Sequence, residues 1–226
     1  MIKFDNVSKK FGNGMVALEN ISLEIPDQEF VFICGPSGAG KTTLLRLLIR
    51  DFLPTNGSIF FDDWNISKLS GSKIPHLRRK VGMVFQDFKL LDDRTVFENV
   101  ALILEICGEK ERVIKEKVGE VLKSVGLADH ANLFPVQLSG GELQRTVMAR
   151  AMIAKPRVIL ADEPTGNLDP TTAWEIIKIL EDINKTGTTI IMATHNVDIV
   201  DSLGKRVVKI EHGKIKKDEK KGKYSS

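Results

Sequence analysis

The sequence predicts an α/β fold. Three observations carry that expectation. Apolar runs of strand length alternate with stretches of helical periodicity through most of the chain. Two of the runs, 30–34 and 158–161, are continuously apolar, as in strands buried on both faces. Each of those two runs leads into a polar motif, a glycine-rich loop in one case and a pair of acids in the other.

Taken in order, 2–7, 16–25 and 29–34 read as strands, with Leu18, Ile21, Leu23 and Ile25 set to face one way. A helix follows from Lys41 to about residue 50, where Leu44, Leu45, Leu47 and Leu48 give a wide apolar stripe. Strands are expected at 57–61 and 81–85. Residues 95–125 read as helical: Thr95 with Glu98 makes a capping-box start, and Gly108 divides the stretch in two. The next helix covers 141–154, with Leu143, Val147 and Ala151 on one face and Met148 and Met152 beside them. A strand at 157–161 precedes Asp169-Pro170, a cap plus first-turn proline that opens a helix to about 184. A strand at 188–193, a short helix at 197–202 and a strand at 206–210 complete the alternation before Gly213. The block 90–150 interrupts this alternation and reads as an inserted helical lobe.

The 226 residues suit one large domain or two tightly joined lobes. No apolar run approaches the roughly 18 residues of a membrane-spanning helix. The start, Met1-Ile2-Lys3-Phe4-Asp5, lacks the pattern of a secretion signal. Cys34 and Cys107 show no metal spacing, and a reducing cytosol is the simplest setting. Cys34 reads as a buried strand residue. Residues 211–226 hold six lysines against three acids, which accounts for the whole net charge of +3. The neutral remainder gives no case for nucleic-acid binding. Residues 216–226 are expected to form a solvated, mobile tail, with weak attraction to anionic lipid as the other reading.

Gly35-Pro36-Ser37-Gly38-Ala39-Gly40-Lys41-Thr42 fits the full G-x-x-x-x-G-K-[ST] pattern, with a buried strand before it and a helix after it. Glycines let the backbone wrap a phosphate chain so that its N–H groups point inward. The helix start adds the positive end of a dipole. Lys41 is placed to reach the β- and γ-phosphates, and the Thr42 hydroxyl to hold Mg²⁺; Thr43 follows on the same turn. The apolar strand ending in Asp162-Glu163 supplies two carboxylates: Asp162 beside the Mg²⁺, Glu163 as general base for the attacking water. Gln86, at a strand end, is a candidate for Mg²⁺ and the γ-phosphate, and His195, at another, for a hydrogen bond to the γ-phosphate. A second glycine turn, Leu138-Ser139-Gly140-Gly141-Glu142, opens a helix and offers a hydroxyl, backbone N–H groups and a helix N-terminus to an anion. With a helical lobe between them, this turn and the phosphate loop of the same chain do not easily meet. In a two-fold related pair each turn caps the other chain's triphosphate.

The phosphate loop, Gln86, Leu138-Ser139-Gly140-Gly141, Asp162-Glu163, Asp169 and His195 stand in the order found in ATP-binding-cassette (ABC) ATPases, and the chain resembles that family over about residues 1–215. The resemblance implies a P-loop NTPase with a RecA-like core, an antiparallel β subdomain and a helical subdomain inserted at about 88–155, followed by the lysine-rich tail 216–226. It also implies ATP and Mg²⁺ as ligands, dimerisation driven by ATP, and Asp169 at the dimer seam. Phe11 takes the place of the aromatic residue that stacks on adenine, usually a tyrosine, with Val16 nearby. Glu142 replaces the usual glutamine, and Leu143 after it is also a departure. Gln86-Asp87-Phe88-Lys89-Leu90-Leu91 is most similar to the branch that acts in bacterial cell division with a membrane protein and controls peptidoglycan hydrolases. The string from Asp162 to Asp169 is shared with branches that power lipoprotein release and macrolide efflux, which are the alternatives. The stretch Phe88-Lys89-Leu90-Leu91 is the expected contact for a membrane partner's cytoplasmic helix. The implied location is cytoplasmic, peripheral on the inner face of the plasma membrane.

Overall fold

The computed structural model describes residues 1–224. The strands are β1 (Ile2–Lys10), β2 (Val16–Ile25), β3 (Phe30–Cys34), β4 (Asn56–Phe61), β5 (Trp64–Asn65), β6 (Val81–Val84), β7 (Val158–Asp162), β8 (Thr189–Thr194), β9 (Arg206–Glu211) and β10 (Lys214–Glu219). The helices are α1 (Lys41–Leu48), α2 (Ile74–Lys80), α3 (Val96–Ile106), α4 (Glu111–Ser124), α5 (Gly140–Met152), α6 (Pro170–Lys185) and α7 (Val197–Leu203). One sheet is antiparallel, in the order β2-β1-β4-β5. The other runs β10-β9-β3-β8-β7-β6 and is parallel except for β10.

The continuous apolar runs have a simple cause. In β3, Val31 and Ile33 enter the core shared with the antiparallel sheet and α1, whereas Phe30, Phe32 and Cys34 enter the core under α5, α6 and α7. The same division by alternate residues holds for β7 and β8: Leu160 and Ile191 lie on one side, Ile159 and Ile190 on the other. A strand covered on both faces has no use for polar residues until it reaches its end, where the chemistry sits. A third core joins α3, α4 and α5 through Val96, Val100, Ile114, Val118, Leu122, Ala149 and Ile153. Helix α5 touches both of the last two cores and so joins the helical block to the parallel sheet. The Thr95–Glu98 capping box is present, with Glu98 N–H donating to Thr95 Oγ1 at 3.2 Å and Thr95 N–H to Glu98 Oε2 at 2.8 Å.

Residues 216–224 differ from their expectation as a solvated tail, and residues 225–226 of that expected tail lie outside the described residues. Residues as far as Glu219 belong to β10, which pairs antiparallel with β9 from Lys214 opposite Glu211 to Glu219 opposite Val207. His212 and Gly213, both at positive φ, make the hairpin turn. Lysine on an edge strand is a common guard against unwanted pairing, which is why this strand looks like a tail in the sequence. Beyond it, Gly222 N–H donates to Lys205 O at 3.2 Å, Tyr224 N–H to Asp201 Oδ1 at 2.6 Å, and the Tyr224 ring packs on the core beneath α7. Helix α2 and the short β5 are further elements that the periodicity did not disclose.

Candidate nucleotide site

The C-terminal ends of β3, β6, β7 and β8 converge on one cavity of about 620 Å³. Its wall comprises Met15, Val16, Ala17, residues 36–43, Gln86, Glu163, His195, Val197 and Tyr224. The loop from β3 to α1 needs glycine at two places. Gly35 has φ +148°, and a Cβ there would lie 2.0 Å from Ile210 O. Gly40 has φ +108°, and a Cβ would lie 2.5 Å from Ala17 O. Both contacts are with backbone that cannot give way.

Lys41, only 6% exposed, turns its ammonium back into this loop. Nζ donates to Gly35 O at 2.7 Å and Pro36 O at 3.1 Å, and lies 3.6 Å from Glu163 Oε1. Two carbonyls solvate this buried cation and one carboxylate offsets its charge, in a position to be taken over by phosphate oxygens. Thr42 Oγ1 donates to Asp162 Oδ1 at 3.0 Å. Burial pushes the Asp162 carboxyl above the usual range, and the Thr42 hydrogen bond opposes that rise. Thr42, Asp162 and Gln86 offer oxygen donors alone, the chemistry that suits Mg²⁺. Among the described residues no group of three or more His, Cys, Asp or Glu side chains could hold a metal ion. A cation here would share its coordination with phosphate oxygens and water, as Mg²⁺ does.

Glu163 follows β7 with φ +48°, a left-handed conformation that costs a non-glycine residue roughly 1–2 kcal/mol. Its N–H donates to Ala193 O at 2.9 Å, and its carbonyl accepts from Gly166 N–H at 3.1 Å. This backbone turns the side chain across the sheet end toward His195. Oε1 lies 2.9 Å from His195 Nδ1, and Oε2 accepts from His195 N–H at 3.3 Å. Cys34, at the tip of β3, has its thiol pushed up to about 12 by burial, so it stays protonated and inert.

The glycine turn 138–142 and Asp169 lie outside this wall and beside one another. Ser139 caps α5: its Oγ accepts from Glu142 N–H at 3.4 Å and donates to Glu142 Oε2 at 2.7 Å. Asp169 caps α6, Oδ1 accepting from Thr172 N–H at 3.1 Å; hydrogen bonding to Thr172 holds its carboxyl below the usual range. A Cβ on Gly141 would lie 2.6 Å from Thr172 Cγ2, so the starts of α5 and α6 are in contact. Phe11 also stands outside the wall, edge-on to Phe52 with ring centroids 5.3 Å apart. Tyr224, the chain's one tyrosine, does line the cavity. Only the folding-back of the chain end brings it there, and no motif in the sequence announces it.

A second cavity, of about 530 Å³, is ringed by Arg46, Arg78, Arg79, Lys89 and Arg150, with Asp51 on the same rim paired to Arg46 at 2.7 Å and with Met83, Phe85, Leu102 and Ile103 among its apolar lining. The turn leading into it holds two successive left-handed residues, Phe88 at φ +56° and Lys89 at φ +50°. Arg150, on α5, donates to the carbonyls of both, at 2.8 and 2.6 Å. Phe88 and Leu90 pack half-buried on the core, and Leu91 is exposed.

Comparison with known proteins agrees with this geometry. The ABC transporter family profile matches residues 18–166. The chain is 51% identical to the cell division ATP-binding protein FtsE of Bacillus subtilis over 226 residues, covering 100% of this chain and 99% of that one. It is 48% identical to FtsE of Mycobacterium tuberculosis (99% of this chain, 98% of that one) and 43% identical to FtsE of Escherichia coli K12 (95% and 97%). A dimeric ATP-binding cassette in a post-hydrolysis state, bound to ADP and Pi, superposes with a TM-score of 0.91 at 35% identity, covering 98% of this chain and 99% of that one. Fold, motif order and relatives agree: the chain belongs to the ABC transporter family as an ATP-hydrolysing subunit, and within that family it groups with the FtsE cell-division proteins.

Proposed function

We propose that two copies of this chain close around two Mg·ATP and that hydrolysis reopens them. One observation carries the reading: the Ser139 turn has the donors of an anion site yet takes no part in the wall of its own chain's phosphate cavity. A second copy is the simplest source of a phosphate for it to grip. The dimeric, ADP- and Pi-bound relative supports this arrangement.

In this reading the backbone of residues 35–40 wraps the phosphates, and Lys41 Nζ exchanges the carbonyls of Gly35 and Pro36 for β- and γ-phosphate oxygens. Thr42, Asp162 and Gln86 would hold Mg²⁺, which when bound offsets phosphate charge. Val16 meets the nucleoside, and Phe11, after leaving Phe52, stacks on adenine. Glu163 takes a proton from water as the water oxygen bonds to the γ-phosphorus and the bond from that phosphorus to the ADP oxygen breaks. The main-chain N–H of His195 fixes the Glu163 carboxylate, and the imidazole turns its N–H from Glu163 toward the transferred phosphate. The partner's Ser139, Gly140 and Gly141 cap that phosphate, with Leu138 and Glu142 shaping the turn, and Asp169 links the two sites across the seam.

The work is done on a membrane protein of the FtsX type, which passes the motion to peptidoglycan hydrolases. The basic groove next to Phe88-Lys89-Leu90-Leu91 fits an amphipathic, acidic cytoplasmic segment of such a partner. Among the described residues no helix is long and apolar enough to cross a membrane, so the chain would sit on the inner face of the plasma membrane through its partner. The proposed role involves no nucleic acid.

The test is Glu163→Gln. ATP should still bind and the dimer should persist, while turnover falls by roughly 10²–10⁴-fold. Hydrolysis near the unsubstituted rate would remove Glu163 from the role of base. Co-purification from membranes should recover an FtsX-like permease; recovery of a lipoprotein-releasing permease instead would redirect the assignment.

A further inference from the structure

The segment after β10 is docked on the parallel sheet and α7, and the docking delivers one side chain to the nucleotide cavity. Gly222 is buried, and a Cβ there would lie 2.8 Å from Val207 Cβ and 3.1 Å from Glu219 Cβ. A residue without a side chain lets the backbone come this close to β9. Gly222 N–H donates to Lys205 O at 3.2 Å. Two residues on, Tyr224 N–H donates to Asp201 Oδ1 at 2.6 Å, a charge-assisted bond to the last turn of α7. The Tyr224 ring packs against the core that holds Cys34, Ile199, Val200 and Val207. Backbone and ring are thus both held.

The ring held in this way forms part of the wall of the phosphate-loop cavity. Tyr224 shares that wall with residues 36–43, Glu163, His195 and Val197. Helix α7 begins two residues after His195, with Asn196 Oδ1 accepting from Ile199 N–H at 3.2 Å as its cap. One short helix therefore joins the strand end that carries His195 to the carboxylate that anchors Tyr224. Burial raises the phenol pKa, and the neighbouring Cys34, Glu163 and Glu211 raise it further, so the hydroxyl keeps its proton at neutral pH. Cys34 immediately precedes the phosphate loop, and Glu163 faces Lys41. A protonated phenol among these groups offers an O–H donor to an anionic oxygen. Lys41, Thr42 and the loop backbone belong to a motif, whereas Tyr224 belongs to none.

We propose that Tyr224 is a binding residue of the nucleotide site: its hydroxyl donates to a phosphate oxygen of the bound triphosphate, so that the nucleotide and the segment 220–224 hold each other in place. The inference rests on ATP occupying the phosphate-loop cavity and is independent of two-chain closure. The coupling is reciprocal: docking of the segment tightens ATP, and ATP tightens the docking by the same factor.

The chain has a single tyrosine, so fluorotyrosine places one fluorine label at this position. In the full chain carrying Glu163→Gln, which keeps the nucleotide intact, saturating Mg·ATP should shift the fluorine resonance by more than its linewidth. Mg·tripolyphosphate, which has no base, should shift it in the same direction. Tyr224→Phe keeps the ring and loses the O–H. It should weaken Mg·ATP in calorimetry roughly tenfold and tripolyphosphate by a similar factor, with the Tm of the nucleotide-free chain within about 1 °C of the parent. Gly222→Ala retains the phenol but forces the segment off β9. It should weaken Mg·ATP at least as much and move the resonance toward that of free fluorotyrosine. A Tyr224→Phe chain that binds Mg·ATP within about twofold of the parent, or a resonance that ignores Mg·ATP, reduces Tyr224 to a packing residue; either overturns the inference and leaves the cavity's assignment standing. A loss for Mg·ATP without one for tripolyphosphate puts the hydroxyl at the base and overturns it as well. Failure of the parent chain to bind Mg·ATP, or an unchanged ATP affinity in Lys41→Ala, overturns the cavity's assignment and this inference together.

Discussion

Replacing Arg150 by alanine should destabilise the nucleotide-free chain by about 2 kcal/mol, and the structure says where the loss arises. The guanidinium makes two charge-assisted hydrogen bonds, at 2.8 Å to the part-buried Phe88 carbonyl and at 2.6 Å to the exposed Lys89 carbonyl. Hydrogen bonds to charged groups contribute about 1.5–3 kcal/mol each, but water can replace the exposed one, so the pair contributes nearer to about 3 than 6 kcal/mol. Burial depresses the Arg150 pKa, which shows that holding the charge there has a cost. Relief of that cost returns part of this contribution, which leaves about 2 kcal/mol. The 88–89 turn loses the two hydrogen bonds that fix it, so the effect should be local as well as global. A thermal melt followed by circular dichroism should show Tm falling by about 4–8 °C for a domain of this size, and amide exchange over 87–91 should quicken. Arg150→Lys, which keeps the charge but not the fork, should fall between. A Tm within about 1 °C of the parent together with unchanged exchange at 87–91 would refute the clamp.

Lys41→Ala should abolish nucleotide binding in calorimetry; an unchanged ATP affinity would sink the phosphate-loop assignment. Asp162→Asn should raise the Tm of the nucleotide-free chain while removing Mg²⁺-dependent hydrolysis. Burial raises the carboxyl pKa of Asp162 above its unfolded value, so the folded chain holds that proton more tightly and this group's contribution is lost as pH rises through the folded pKa. A melt in which asparagine lowers Tm would show that the ionised carboxylate stabilises the fold. Gly141→Ala sets a methyl group 2.6 Å from Thr172 Cγ2 and should weaken ATP-driven dimerisation while leaving single-chain ATP affinity unchanged. Equal dimer affinity would show that the α5–α6 junction yields. Glu163→Gln, set out above, completes the series.

Much of this site was legible because its residues follow from backbone geometry. A buried strand, a glycine wrap and Lys41 must succeed one another in sequence, and the acids of 162–163 must stand where an apolar strand reaches the sheet end. Gln86 and His195 were weaker signals singly, and the fold brings both to the same wall. The features that escaped depend on contacts remote in sequence. β10 is lysine-rich because it is an edge, and its pairing is set by β9. Tyr224 reaches the cavity only after the chain has doubled back past Lys205 and Asp201. Glu142 Oε1 lies 3.0 Å from His130 Nε2, a contact between two residues that no motif relates. Phe11 shows the opposite case: its position follows from the resemblance, yet the ring rests on Phe52.

Helix α5 has 13 residues and is therefore about 20 Å long. Its first turn begins at Ser139, its last carries Arg150, and Val147 and Met148 between them are wholly buried. Buried side chains hold it from Gln144 to Ala151, so it can shift only as one rigid rod. A push on the 88–89 turn would then reach the Ser139 end as a displacement of the whole helix, without any bond in it being broken. On the proposed reading, traffic between a face that meets a membrane partner and a face that meets a second copy then needs only a rigid shift, on the microsecond-to-millisecond scale of hinge motions, and stiffness along α5 matters more to that traffic than the identity of its surface residues.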